Sequence, residues 1–246
     1  VAETDEELME TYFGDGGLGV EALKEGLRKA VLAGQFFPVL FGDAYNNVAA
    51  DRLLRAVADY FASPAESPGL SLTDADGNEH TLVAAADAPL TGFVFKTVGE
   101  QHVGELSYVR LYAGTLNHGD EITNVTRRKT ERIGQIFELN GHERQEVQSA
   151  SAGDIVALVK LKDTHTNDML AEKTTTVTFG EIKFPEPVLA YAIEPKSRGD
   201  EEKISGALQR LEEEDPTIRY ERDPQTGELL LSGQGQLHIE VTVAKL

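Results

Sequence analysis

Ser232-Gly233-Gln234-Gly235-Gln236-Leu237-His238 sets two glycines at the spacing of a dinucleotide-binding turn, where small residues let backbone N–H groups approach a pyrophosphate at a helix N-terminus. His238 stands where the third glycine is required, and Glu240 falls far short of the ribose-binding acid about twenty residues on. The stretch reads as a turn that frees the chain to enter a helix, not as a phosphate loop. Asp74-Ala75-Asp76-Gly77-Asn78 offers the oxygens of a calcium loop, but its glycine falls early and Ala85 occupies the position of the bidentate glutamate. A hairpin turn is expected there. The six histidines, at 80, 102, 118, 142, 165 and 238, never pair as HxH or HxxxH, and cysteine is absent, so no metal centre is expected. No Gly-x-Ser-x-Gly elbow occurs and no carboxylate pair stands out among 42 acids, so no catalytic residue is assigned. Arg127, Arg128, Lys129 and Arg132 form the one basic cluster, readable as a solvated turn or as a contact to RNA phosphates.

That cluster sits in an acidic chain. A net charge of −19 and a pI near 4.7 over 246 residues exclude general nucleic-acid affinity and leave only a local patch. No apolar run reaches the roughly twenty residues a membrane span needs, and the acidic start VAETDEELMETYF is unlike a signal peptide. With no cysteine, a cytoplasmic setting and no membrane partner are expected.

Three blocks must position these residues. Over Asp5–Ala33 the apolar spacing predicts two amphipathic helices broken at Gly14–Gly17; Phe36–Phe41 reads as a buried strand, followed by a helix bearing Leu53, Leu54, Val57 and Tyr60. Pro64 and Pro68 open an extended polar stretch through Asp87. From Pro89 to Phe179, short alternating runs at 93–95, 106–112, 121–125, 132–137 and 155–159 predict a small antiparallel barrel. Its turns are expected at Gly99, Gly114, Asn117–Gly119, Asn140-Gly141 and Gly153-Asp154. After Pro185-Glu186-Pro187 come a strand (188–193), a helix (200–213) with Ile204, Leu208 and Leu211 inward, a hairpin around 223–227, and a last helix. That order is a ferredoxin-like βαββα sandwich whose closing strand is expected beyond Leu246. On the last helix Leu237, Val241 and Ala244 would share one face, with Ile239, Val243 and Leu246 on the other.

Glu186-Pro187-Val188, Ile193-Glu194-Pro195-Lys196, Leu211 to Thr217 (LEEEDPT), Thr226-Gly227-Glu228 and Ser232 to Glu240 (SGQGQLHIE) closely resemble, in order and spacing, domain III of bacterial elongation factor G. Val109 to Leu116 (VRLYAGTL), Gly119-Asp120, Ala152-Gly153-Asp154 and Leu161 to Thr164 look like its domain II, and Phe37 to Ala44 with Ser63-Pro64 like the tail of its GTPase domain. The resemblance implies a multidomain α+β chain. Residues 1–87 would be an α/β remnant of a P-loop GTPase domain with a linker, 88–184 a domain II β-barrel, and 185–246 a truncated domain III.

The family hydrolyses GTP on the ribosome during translocation. This chain has no G-x-x-x-x-G-K-[ST] loop, no switch motif in the right context and no Asn-Lys-x-Asp, so it is expected neither to bind GTP tightly nor to hydrolyse it. GTP and Mg belong to the parent protein. A residual guanine contact falls on Gly42, Asp43 and Ala44, where Asp43 replaces the usual serine; Asn167 likewise stands in place of a usual glycine. The partners implied are small-subunit rRNA, through Arg127, Arg128, Lys129 and Arg132, and the rest of the protein's own GTPase and later domains. The alternative is a divergent acidic paralogue serving as a protein-interaction module without translocase activity. A barrel enzyme would need a convergent polar cluster in its interior, and the sequence shows none.

Overall fold

The computed structural model describes residues 1–67, 69–74, 76–100, 103–173, 175, 177–195 and 201–246, the side chains of 201 and 202 excepted. Pro68, Ala75, His102, Lys196 and Asp200, named above, lie outside the described residues. The chain divides into two compact units, Val1–Ser67 and Pro68–Leu246.

In the first unit, helix α1 (Glu6–Asp15) begins at Asp5, whose carboxylate accepts from the N–H groups of Glu7 and Leu8 at 3.0 and 3.3 Å. Helices α2 (Val20–Leu32) and α3 (Ala50–Tyr60) pack side by side through small residues, burying Ala30 and Ala56. Arg28 of α2 reaches past α3, donating to the Asp59 carbonyl at 2.8 Å and to both Glu66 oxygens at 2.6 Å. The strand expected at Phe36–Phe41 does not form. Phe37, Val39 and Phe41 are exposed, and the only β pairing in this unit is the isolated bridge between Asp43 and Val48. An extended segment needs neighbouring strands to satisfy its backbone groups, and residues 1–67 supply none.

The second unit opens with the hairpin β1 (Leu70–Asp74) and β2 (Glu79–Leu82), where an extended linker was expected. The expected turn at 74–78 is its tip: Asp74 accepts from the N–H groups of Asp76 and Asn78 and from the side chains of Asn78 and His80. The His80 ring and the Asn78 donors hold the Asp74 carboxyl well below the usual carboxylate range.

The barrel strands follow: β3 (Thr91–Glu100), β4 (Gly104–Ala113), β5 (Thr115–Asn117), β6 (Glu121–Asn124), β7 (Lys129–Arg132), β8 (Ile136–Asn140), β9 (Glu143–Val147), β10 (Ser149–Ser151), β11 (Ile155–Val159), β12 (Met169–Ala171) and β13 (Val177–Thr178), which returns to pair with β1. Eight of them form one antiparallel sheet in the order β7-β6-β12-β3-β4-β11-β8-β9, and β5 pairs with β10 separately. The sheet curls on itself: Ile122 of β6 and Ile136 of β8, from strands far apart in that order, share one core with Val94, Val109, Leu158 and Leu170. The run at 132–137 breaks between β7, which pairs with β6, and β8, which pairs with β11 and β9; Ile133 in the break and Ile136 in β8 are both buried in the core. Gly114 is a true turn glycine, with φ at 78° and the Leu90 backbone 2.5 Å from where a Cβ would lie. Gly99 is instead inside β3.

The third block forms β14 (Leu189–Ile193), α4 (Glu201–Glu214), β15 (Arg219–Arg222), β16 (Leu229–Gly233) and α5 (Gln236–Lys245). The strand order β14-β16-β15 is antiparallel throughout, which leaves β14 and β15 parallel and split by β16, as a split βαβ unit requires. Leu208, Leu211, Ile218, Leu231 and Ile239 make its core. On α5 the buried stripe is Ile239 with Thr242, not either expected face, and Leu237 is 73% exposed.

Candidate functional site

The basic cluster sits on the β6–β7 hairpin, and the structure shows what holds it. Alternation along β7 turns Glu131 inward, 4% exposed, between the exposed Thr130 and Arg132. A buried carboxylate is costly unless its lone pairs are met. Glu131 Oε1 accepts from the Asp163 N–H at 2.7 Å, the Thr164 hydroxyl at 2.9 Å and the Lys162 N–H at 3.1 Å. The loop between β11 and β12 is thereby clamped onto the hairpin.

A second buried acid works from the loop toward the hairpin. Asp168, 2% exposed, accepts on Oδ2 from Asn124 Nδ2 (2.9 Å), Arg127 Nε (2.7 Å) and the His165 N–H (2.8 Å). Asn124, fully buried, also donates to Thr164 Oγ1 and the Asp163 carbonyl, and its own oxygen accepts from the Arg127 N–H at 3.0 Å. The result is a hairpin tip braced at both ends by charge-assisted bonds. Arg127, Arg128, Lys129 and Arg132 are all exposed on it, with Arg128 at φ 57° and Lys129 paired across the hairpin with Asn124. Among the described residues only Arg127 has a side-chain partner. Glu131, Asn124 and Asp168 escaped the reading of the sequence; the available signal was a lone acid at an inward-facing position amid four bases.

Gly42, Asp43 and Ala44 lie elsewhere, in the first unit. Asp43 accepts on Oδ1 from the N–H groups of Tyr45 and Asn46, at 3.0 and 3.3 Å, and on Oδ2 from Asn46 Nδ2 at 2.5 Å. The Asn46 amide, then its backbone N–H, hold the Asp43 carboxyl below its ordinary value. Both oxygens serve the residue's own turn. Among the described residues no group of three or more His, Asp or Glu is placed to hold a metal ion.

The 232–240 motif is a structural clamp. The Gln234 N–H donates to His238 Nδ1 at 3.1 Å, so the ring proton resides on Nε2, which donates to Asp215 Oδ2 at 2.9 Å. Gln234 Nε2 donates to the carbonyls of Pro185 and Glu186, tying the motif to the start of the domain. Burial pushes the Asp215 carboxyl up, but the Thr217 hydroxyl and N–H and then His238 outweigh it, and the net shift is downward.

Beside this clamp, α4 meets the barrel. The Gly99 N–H donates to Glu214 Oε1 at 2.8 Å, and a Cβ on Gly99 would lie 2.5 Å from that oxygen. The adjoining cleft, about 510 Å³, is lined by Glu100, Glu105, Arg210, Glu213, Glu214 and Lys245 among others. Burial, then the charges of Glu213 and Glu214, push the Glu105 carboxyl up against the opposing pull of His165.

With this geometry in view, residues 89–173 match the sequence profile of Elongation factor G domain 2, and residues 184–246 that of Elongation Factor G, domain III. A crystal structure of a protein from Thermus thermophilus overlays 99% of this chain with a TM-score of 0.79 at 30% identity. The chain spans about a third (34%) of that relative's length. Among the described residues no helix is long and apolar enough to cross a membrane. The two matched segments fall on the barrel and on the split βαβ unit, and with them the chain belongs to the elongation factor G family of translation factors.

Proposed function

We propose that this chain supplies the ribosome-docking and relay part of a translational GTPase that promotes translocation. The barrel docks on small-subunit rRNA through the β6–β7 hairpin, and the split βαβ unit packs against it to relay movement. GTP and Mg are held by other parts of the protein, and this chain contributes no catalytic residue. The observation that carries the reading is the braced tip, where four cations stand within six residues of a chain whose net charge is −19. A patch that must meet phosphate against an unfavourable overall field gains from being held in place before contact.

Co-sedimentation with small ribosomal subunits across a salt series tests it. The chain is expected to pellet at low salt and to be released with a slope of log K against log [salt] of about −3, for four phosphate contacts at roughly −0.7 to −0.9 each. A chain that never pellets at low salt sinks the reading and favours the acidic protein-interaction module. Calorimetric titration with GTP is expected to give no tight binding; micromolar affinity would overturn the assignment of nucleotide to other parts of the protein.

A further inference from the structure

We infer that Asp168 is a positioning residue for RNA docking: it holds Arg127 by Nε so that the outer, two-nitrogen edge of the guanidinium faces an RNA phosphate. The inference rests on the docking role proposed for the hairpin. Asp168 is an unusual neighbour for a phosphate site. Its side chain is 3% exposed, carries a negative charge, and lies 2.7 Å from the patch's first arginine. By charge alone it opposes the binding of an anion.

Its geometry does the reverse. Oδ2 already receives Asn124 Nδ2 and the His165 N–H, so the carboxylate cannot swing to follow a mobile arginine. Arg127 is held at both ends, by Asn124 Oδ1 on its N–H and by Asp168 on Nε. Its side chain remains 45% exposed, and among the described residues its two terminal nitrogens meet no partner. A planar guanidinium fixed by one edge presents the other as a fork matched to two phosphate oxygens. The rotamer freedom an unanchored side chain would lose on contact is lost beforehand. Among the described residues Arg128, Lys129 and Arg132 have no such anchor, and they are exposed.

D168A separates geometry from charge, because it makes the patch more positive while removing the acceptor that holds Arg127 Nε. Measured with small ribosomal subunits at fixed low salt, D168A is expected to bind about fivefold more weakly than the unaltered chain, as a side chain ordered only on contact would, with the salt slope unchanged because Arg127 remains a cation. R127K keeps the charge and leaves Asp168 a counter-ion, so the fold is retained, yet one ammonium cannot serve both Asp168 and a phosphate; the same loss of affinity is expected. If D168A fails to fold, R127K decides. Binding by folded D168A or R127K that equals or exceeds that of the unaltered chain, while R128A and R132A weaken it, overturns the positioning role and leaves hairpin docking intact. No change for R128A and R132A as well overturns both.

Discussion

Glu131 Oε1 and the Thr164 hydroxyl, 2.9 Å apart and both buried, join the basic hairpin to the β11–β12 loop. The same oxygen takes the N–H groups of Lys162 and Asp163, so three donors of one loop converge on a single carboxylate. E131A leaves them unmet and is expected to lower stability by about 3 kcal/mol in urea unfolding, whereas T164A removes one partner and costs about 1 kcal/mol. A smaller loss for E131A than for T164A would show that the loop does not depend on the clamp.

Glu105 predicts a pH dependence of the opposite sense to most carboxylates. Its folded value is raised, by burial and then by Glu213 and Glu214. Its contribution is therefore full below the unfolded value of 4.5 and lost as pH rises through the folded value. E105Q is expected to melt at a higher temperature than the unaltered chain at pH 7, with a gain under about 1 kcal/mol after solvent screening, and to match it below pH 4. Equal melting curves at both pH values would remove Glu105 from the balance at this junction.

The His238–Asp215 bond behaves in the usual direction. Asp215 is depressed below 3.8 in the folded chain, so its stabilisation is present above that value and fades as pH falls through the lower folded value. D215N is expected to cost about 1 kcal/mol at neutral pH, with the difference from the unaltered chain closing below pH 4. H238A removes both the Asp215 contact and the acceptor for the Gln234 N–H, and is expected to destabilise more than D215N.

In the first unit, Glu66 lies at about 2, lowered first by the Ser63 N–H and then by Arg28. Its contribution is present above the unfolded value of 4.5 and lost as pH falls through about 2. Acid titration of residues 1–67 within the whole chain, followed by amide exchange in α2, is expected to show weaker protection in E66Q than in the unaltered chain at pH 6, with the gap shrinking as pH falls through about 2. A gap that stays constant from pH 6 down through about 2 would assign the effect to packing instead of charge.

What the sequence by itself determined was whatever depends on neighbours along the chain. Alternation located most of β4, β6 and β11 and a short part of β3, helical spacing located α1 to α4, and Gly114 and Asp74–Asn78 marked their turns, because backbone sterics and period are local properties. The two glycines before His238, together with the resemblance to domain III, favoured a helix for α5 despite its β-branched residues, and a helix forms there. Tertiary structure decided what depends on partners. Phe36–Phe41 has the composition of a strand but no strand to pair with, and Gly99 has that of a turn but lies where β3 must admit Glu214. The site followed the same division: four cations close in sequence were visible as a cluster, whereas Asp168 stands 41 residues from Arg127 and is joined to it only by the fold. A buried charge is tolerated only where distant donors converge on it, and that convergence is a property of three dimensions.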